Sequence, residues 1–323
     1  MAEAPVWSTA CGDWERRILA GESLIPFPPL FPATADQAME TFRQLRIVDV
    51  PGQPTIGEVC RPWVMDFASA VFGAYDEETG RQLINQAFLL VAKKNWKSGL
   101  AAAIMLTALI LNWRDSAEFL IIAPSVEVAG NSFGPAADMV NADPELRRLL
   151  RVEPFRKTIR HKTTGATLKV VAADNDSVSG KKATGVLVEE VWQFGKKPNA
   201  EGMLIEATGG LAARPEGFVI WISTMSDEQP AGVFKQKLDY FRGVRDGAID
   251  DRRSLPVLYE WPPSLLKAEA YRGEALWRVT NPNLGASVDV SFLRQKATEA
   301  EQGGPSAERG FWAKHLNVEF DVA

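Results

Sequence analysis

The stretch LLVAKKNWKS, Leu89–Ser98, ends an apolar run with a Lys-Ser pair at the point where a long helical pattern begins. A phosphate-binding loop is expected at such a place, between a buried strand and the N-terminus of a helix. The usual pattern of this loop is G-x-x-x-x-G-K-[ST]. Both of its glycines are missing here, because Val91 stands at the first position and Trp96 at the second. The stretch therefore needs support from its neighbours before it indicates a nucleotide site.

Apolar runs that predict strands alternate with helical patterns through the middle of the chain. The strands are predicted at 87–92, 118–124, 166–173, 185–191 and 217–224, and the helices at 97–112, 126–140, 199–212 and 231–243. This alternation predicts an α/β fold with a mainly parallel sheet, right-handed crossovers and helices on both faces. The loop at 91–98 then lies at the carboxyl edge of the sheet, where such folds bind their ligands.

The region before this alternation is less regular. Residues 1–35 show little periodicity and contain the run IPFPPLFP, which favours extended backbone. A helix capped by Asp36 is predicted over 36–45, and an apolar-periodic helix over about 59–71. Residues 1–58 are therefore predicted to be a partly irregular start of the main domain.

The apolar strands stop after the segment LPVLYEWPP at 255–263. The residues that follow have the pattern of helices and loops. We therefore predict a main domain at 1–260 and a helical linker or lid region at 261–323.

The net charge of −5 argues against a protein that coats nucleic acid indiscriminately. One block is nevertheless strongly basic, and its members are Arg147, Arg148, Arg151, Arg156, Lys157, Arg160 and Lys162. Such a block can meet phosphates, or it can be the solvated face of a helix. The sequence alone leaves both interpretations open.

Metal-binding and membrane patterns are weak in this chain. The 2 cysteines and 2 histidines have no metal-ligand spacing, which argues against a zinc site, and so few thiols suit a reducing cytoplasm. The most apolar segment, Leu100–Leu111, is too short for a bilayer, which needs about 20 residues. No membrane-spanning helix is predicted.

The Lys-Ser pair that ends the opening stretch has a specific chemical use. Unpaired amide groups and the positive end of the helix dipole make a helix N-terminus an anion site. Lys97 would reach the β- and γ-phosphates of a nucleotide, and the Ser98 hydroxyl would bind Mg²⁺. The alternative is a solvated lysine beside a serine that only starts a helix.

A pair of adjacent carboxylates supports the nucleotide interpretation. The run GVLVEEVW predicts a buried strand that ends in Glu189 and Glu190, a costly arrangement unless the acids hold a cation or perform chemistry. In phosphoryl-transfer motors the first acid holds the Mg²⁺ shell, and the second orients or deprotonates the attacking water. The alternative is a pair of surface glutamates at a strand end.

A third polar strand end follows downstream, where the run FVIWIST ends in Ser223 and Thr224. Beside a phosphate loop, such a side chain can sense whether the γ-phosphate is present. Alone it indicates no more than turn chemistry. The order of loop, acid pair and strand-end threonine is the stronger signal.

Taken with their neighbours, these motifs resemble the terminase large subunit of tailed bacteriophages, the ATPase motor that packages double-stranded DNA into the empty capsid. The segments that carry the resemblance are LLVAKKNWKSGLAAAIMLTAL, SVSGKKATGVLVEEVWQFG, WISTMSDEQPAGVFK, YEWP and NPNLG, and it extends from 9–18 to 311–317. It implies a P-loop NTPase fold of the RecA-like, additional-strand, catalytic-glutamate type.

The resemblance also implies roles for particular residues. The phosphate loop would be Lys93, Lys94, Asn95, Trp96, Lys97 and Ser98. Ser98 and Glu189 would hold Mg²⁺, Glu190 would be the catalytic glutamate, and Thr224 would belong to the motif that couples hydrolysis to movement. An arginine supplied by a neighbouring subunit is expected, with candidates Arg147, Arg148 and Arg151.

The implied ligands are ATP and Mg²⁺. The implied partners are double-stranded DNA held by its backbone, the portal protein, the small terminase subunit and further copies of the chain in a ring. Arg156 to Lys162 and the pair Lys181–Lys182 are candidates for the DNA contact. The implied location is the cytoplasm of the infected bacterium, on the procapsid, with no membrane contact.

Two departures from the family pattern qualify these expectations. Trp96 stands where backbone must approach phosphate and often needs a positive φ, which strains a bulky residue. The alternative function is therefore a nucleotide-binding but hydrolytically weak assembly module. In addition, no carboxylate cluster is left for the nuclease domain that follows in this family, so DNA cleavage is not expected of this chain.

Overall fold

The computed structural model describes residues 5–172, 183–197 and 199–320. The strands are β1 Tyr75–Asp76, β2 Arg81–Gln82, β3 Gln86–Leu90, β4 Glu118–Ala123, β5 Leu150–Glu153, β6 Thr158–His161, β7 Thr167–Ala172, β8 Ala183–Glu189, β9 Phe218–Ser223 and β10 Ser254–Leu258. The helices are α1 Trp14–Ala20, α2 Pro32–Gln44, α3 Ile56–Val59, α4 Pro62–Phe72, α5 Lys97–Leu111, α6 Val126–Ala142, α7 Pro144–Leu149, α8 Val191–Phe194, α9 Ala200–Gly209, α10 Gly232–Arg245, α11 Pro263–Lys267, α12 Val290–Gly303 and α13 Pro305–Leu316.

The main sheet has the strand order β10-β3-β9-β8-β4-β7-β6-β5. All neighbours from β10 to β7 pair in parallel, and the edge strands β6 and β5 pair antiparallel. The predicted mainly parallel α/β sheet is therefore confirmed. Strand β9 lies between β3 and β8, which is the additional-strand arrangement.

The inner strands are continuous apolar runs because both faces of the sheet are covered. Along β3, alternate side chains enter different cores: Leu89 packs with α5 residues on one face, and Phe88 packs with Phe241 of α10 on the other. Helix α5 is buried almost all round, as its uniformly apolar sequence predicts. Its N-terminus is thereby fixed at the end of β3.

Two predicted helix boundaries in the N-terminal region are wrong. Helix α2 starts at Pro32, with no capping side chain, because proline suits the first helical position; Asp36 lies inside the helix. The helix predicted over about 59–71 is α4, which starts three residues later than predicted. Arg61 takes extended backbone before Pro62, which starts α4.

The helical interpretation of the basic block is wrong from Leu150 onward. Only its first two arginines lie on a helix, α7; the next four basic residues belong to the β5–β6 hairpin, and Lys162 lies in the turn after β6. Pro154 starts the hairpin turn and Lys157 closes it with a φ of 46°. The hairpin adds two antiparallel strands to the edge of the sheet.

The helices after β10 pack onto the rest of the protein rather than standing apart. Trp277, Leu293 and Trp312 belong to the same buried cluster as Leu89 and Leu100. The boundary near 260 stays a prediction. Among the described residues, no helix combines the length and apolarity needed to cross a membrane.

Candidate active site

Three strand ends meet at the N-terminus of α5. Leu90 of β3 pairs with Ser223 of β9, and Glu189 of β8 pairs with Ile222 of β9. The phosphate loop, the acid pair and the strand-end Ser-Thr motif are therefore neighbours, as the sequence predicted. No side chain caps α5, so its first amide groups point to this edge.

Trp96 is the residue that precedes α5, and it adopts the left-handed conformation with a φ of 60°. The predicted positive φ is confirmed. This conformation costs an L-residue about 1–2 kcal/mol. A Cβ atom added to Gly99 would lie 2.2 Å from Trp96 Nε1 and 2.3 Å from Cε2, so the indole lies directly against Gly99. The loop pattern alone does not predict that the tryptophan depends on a glycine three positions later.

The side chain of Asn95, which is fully buried, connects the loop to the rest of the protein. Its Nδ2 donates to the Ala92 carbonyl at 3.0 Å and to Asn281 Oδ1 at 2.7 Å. Its Oδ1 accepts the Asn283 backbone N–H at 3.0 Å. The NPNLG segment thus fixes the loop, a contact for which the sequence contains no signal beyond the place of this segment in the resemblance.

Lys97 and Glu190 form an ion pair at 2.7 Å, with both side chains nearly buried. Burial opposes ionisation of Glu190, but the charge and hydrogen bond of Lys97 hold its pKa below the ordinary value. The other carboxylate oxygen, Oε2, accepts a hydrogen bond from Trp192 Nε1 at 2.6 Å. The predicted catalytic lysine and glutamate are therefore in direct contact.

Glu189 is buried, with 2% of its surface exposed. Ser132 Oγ donates to its Oε1 at 2.5 Å and lies 3.2 Å from the Ser98 carbonyl. Burial raises the pKa of Glu189 to about 8, although the Ser132 hydrogen bond opposes the rise. Its Oε2 has no hydrogen-bond partner among the residues described. A buried carboxylate oxygen left in this way beside Ser98 fits a hard, oxygen-seeking cation.

Ser223 and Thr224 are both fully buried. Ser223 Oγ accepts the Trp192 backbone N–H at 3.1 Å and donates to the Thr224 carbonyl at 2.8 Å. Thr224 Oγ1 is unpaired within the described ranges. The strand-end motif is therefore tied to the segment that follows the acid pair.

A cavity of about 680 Å³ lies over the α5 N-terminus, a volume typical of small-molecule sites. The predicted residues that line it are Lys93, Lys94, Trp96, Lys97, Ser98 and Glu190. Its other walls come from Arg46–Asp49, from α6 and from Phe292, Lys296 and His315 of the last two helices. These outer walls were not predicted from the sequence.

The three arginines predicted to act on a neighbouring subunit do not line this cavity within the described part of the chain. Arg147 donates to the Asn141 carbonyl, and Arg148 pairs with Glu145 at 2.5 Å. Arg151 is exposed on the edge strand β5. Their role stays a prediction. The DNA candidates Lys181–Lys182 lie outside the described residues.

The fold and this constellation define a class of protein. They are those of an additional-strand P-loop NTPase. Its parts are a loop between a buried strand and an uncapped helix, an acid pair at the end of a second strand, and a polar strand end between the two.

Comparison with known proteins narrows the class. A model of the terminase large subunit ATPase domain matches residues 62–243. The terminase large subunit of Enterobacteria phage HK97 is 28% identical over 281 residues, which cover 84% of this chain and 51% of that protein. The crystal structure of the HK97 large terminase has a TM-score of 0.71 at 24% identity and covers 88% of this chain and 55% of that chain. The structure of the Thermus phage P74-26 large terminase ATPase domain has a TM-score of 0.50 at 16% identity. The match covers 75% of this chain and 91% of that chain.

The chain belongs to the terminase large subunit ATPase-domain family. It spans 51% of the length of the curated HK97 relative. The predicted resemblance and fold type are confirmed. The individual residue roles stay predictions, as does the absence of nuclease activity. In the described ranges, no group of three or more His, Cys, Asp and Glu side chains is placed to hold a metal ion.

Proposed function

We propose that this chain hydrolyses ATP and that the energy drives double-stranded viral DNA into a procapsid. The observation that carries the proposal is the contact of Lys97 with Glu190 at the uncapped N-terminus of α5, beside the buried Glu189. Lys97 and Glu190 line a cavity of nucleotide size, and the adjacent Glu189 is buried behind that lining.

The ion pair explains how these residues would be used. The Lys97 ammonium group donates to Glu190 at 2.7 Å, and a γ-phosphate in the cavity would compete for this group and draw it away from the carboxylate. Glu190 would then be free to orient and deprotonate the attacking water. The α5 amide groups would bind phosphate oxygens through the helix dipole. Phosphoryl transfer of this kind depends on positioning and charge, with no covalent intermediate.

The donor set also fits Mg²⁺, with the Ser98 hydroxyl and Glu189 as the residues that would hold it. The unpaired Oε2 of Glu189 supports this assignment. When bound, the ion would offset charge on the phosphates. Ser132 would keep the Glu189 carboxylate in place through its hydrogen bond.

The proposed partners follow from the family. DNA would be held through its backbone without base readout, with Arg156 on the β5–β6 hairpin and Lys162 in the turn after β6 as contributors. The portal protein, the small terminase subunit and further copies of the chain in a ring would complete the motor, in the infected cell's cytoplasm and on the procapsid. Arg147, Arg148 and Arg151 lie outside the chain's own cavity, as residues that act on a neighbouring subunit would.

A second function, a hydrolytically weak assembly module, is favoured by one observation. The Trp96 indole covers Gly99 within the first turn of α5, where phosphate oxygens would approach backbone amides. If the indole does not move, it limits that approach.

Steady-state ATP hydrolysis by the chain, measured over rising protein concentration so that ring neighbours can form, tests the motor. We expect turnover that is lost in Lys97→Ala and in Glu190→Ala. Turnover that survives both substitutions would overturn the site assignment. An inactive parent that gains turnover on Trp96→Gly would favour the assembly module.

A further inference from the structure

Trp192 connects two of the three strand ends at the site. Its indole Nε1 donates to Glu190 Oε2 at 2.6 Å, and its backbone N–H donates to Ser223 Oγ at 3.1 Å. Trp192 also lines the cavity. It is therefore in contact with the carboxylate that the proposed hydrolysis uses.

Lys314 of α13 lies over the face of the Trp192 indole. Its side chain is nearly buried, and Nζ lies 2.9 Å from the centroid of the Trp192 ring and 3.0 Å from the Met225 carbonyl. Asp227 lies 3.5 Å from the same ammonium group. A buried cation is costly unless it has such partners, and a desolvated cation–π contact contributes to the balance.

The Lys314 backbone reaches the third strand end, because its carbonyl accepts the Lys93 N–H of the phosphate loop at 2.8 Å. Lys314 lies outside residues 62–243, which match the family model. A single residue of the last helix therefore contacts all three loops of the site.

We propose that Trp192 is a positioning residue for Glu190 and that Lys314 fixes the Trp192 indole; the inference rests on the proposed ATP hydrolysis. When Lys97 leaves Glu190 for a phosphate, the carboxylate loses the partner of its Oε1. The Trp192 N–H then remains to hold Oε2 and to set the direction of the other oxygen. Without that hydrogen bond the carboxylate can rotate away from the water that it must orient.

Two pairs of variants separate positioning from packing. Trp192→Phe removes the indole donor and keeps an aromatic face for Lys314, whereas Trp192→His keeps a ring N–H at a comparable place. We expect Trp192→Phe to lower kcat about tenfold, the effect of one hydrogen bond to a charged group, with KM nearly unchanged. Trp192→His should recover part of the loss. Lys314→Met should lower kcat in the same way, and Lys314→Arg, which keeps the cation, should lower it less.

A second measurement needs no turnover. The chain is labelled with 5-fluorotryptophan, and the Trp192 ¹⁹F resonance is assigned by its absence in Trp192→Phe. We expect this resonance to shift in Glu190→Gln and in Lys314→Met, and to stay closer to the parent position in Lys314→Arg. All variants are first checked for parent-like thermal unfolding.

The outcomes separate this inference from the proposed function. If Glu190→Gln keeps full turnover, the proposed function fails. If Glu190→Gln abolishes turnover while Trp192→Phe keeps the parent kcat, the positioning role is overturned and the function stands. If the Trp192 ¹⁹F chemical shift is unchanged in both Glu190→Gln and Lys314→Met, the positioning role is overturned even in a chain without measurable turnover.

Discussion

The contact between Trp96 and Gly99 predicts a substitution whose effect on stability changes sign with its background. Gly99→Ala places a methyl group 2.2 Å from Trp96 Nε1, far closer than packed atoms approach. Either the indole leaves its place or the first turn of α5 shifts, and overpacking of this kind costs about 1–3 kcal/mol. Without the indole, alanine is the better helix former by roughly 0.5–1 kcal/mol. We therefore expect Gly99→Ala to destabilise the parent and to stabilise Trp96→Gly.

The assay is a double-mutant cycle from urea unfolding of the parent, the two single variants and the double variant. The two effects of Gly99→Ala should differ by about 2 kcal/mol between the two backgrounds. Gly130→Ala in α6 is the matched control, because a Cβ atom there meets nothing within 4 Å. It should stabilise the parent slightly and show no coupling to Trp96→Gly. A parent that tolerates Gly99→Ala as well as Gly130→Ala would refute the packing of the indole on the glycine.

Three further predictions concern the support of the loop, the wall of the cavity and the exposed hairpin. Asn95→Ala leaves the buried Asn281 Oδ1 and Asn283 N–H unpaired. It should therefore lower the free energy of unfolding, measured in urea, by about 3 kcal/mol. The control Gln295→Ala, at an exposed position, should lower it by less than about 0.5 kcal/mol. Burial, with Lys93, Lys94 and Lys296 nearby, lowers the pKa of His315 to about 4, so only the unfolded state takes up this proton between about pH 6.5 and 4. The free energy of unfolding should therefore decrease by at most about 3 kcal/mol as the pH is lowered across that window. The decrease should be smaller in His315→Gln. An equally large decrease in the variant would contradict the assignment. Arg156→Ala on the exposed hairpin should reduce the slope of log affinity for duplex DNA against log salt by about 1, and an unchanged slope would remove Arg156 from the DNA contact.

The sheet could be predicted from the sequence because its inner strands are buried on both faces. Such strands are continuous apolar runs, and the polar residues Glu189 and Ser223, which end β8 and β9, stand out against those runs, as does the Lys97–Ser98 pair that follows β3 at the start of α5. Chain order then places all three at one edge of a parallel sheet. The β5–β6 hairpin was missed because it is short and carries charges on a sheet edge, a pattern that a helix face also shows.

The support of the site could not be predicted in the same way. Asn95 contacts Asn281 and Asn283, nearly two hundred positions later, and local patterns contain no information about such pairs. Trp192 and Lys314 pose the same difficulty. Each is an ordinary residue on a helix until the fold brings a cation against an indole face.

The contacts that hold the site come from a different part of the chain than the groups that line it. The predicted chemical groups lie at the start of α5 and at the ends of β8 and β9, but the backbone that carries Lys93 and Asn95 is held by contacts with Asn281, Asn283 and Lys314. Motion of α13 would therefore reach the phosphate loop through the Lys314 carbonyl, which accepts the Lys93 N–H, and would reach Glu190 through the Lys314 side chain and Trp192. Because α12 and α13 also line the cavity through Phe292 and His315, nucleotide binding can in turn bias their position. Coupling of this kind is reciprocal. A partner that moves the last two helices must change the affinity for nucleotide by the same factor by which bound nucleotide changes the affinity for that partner.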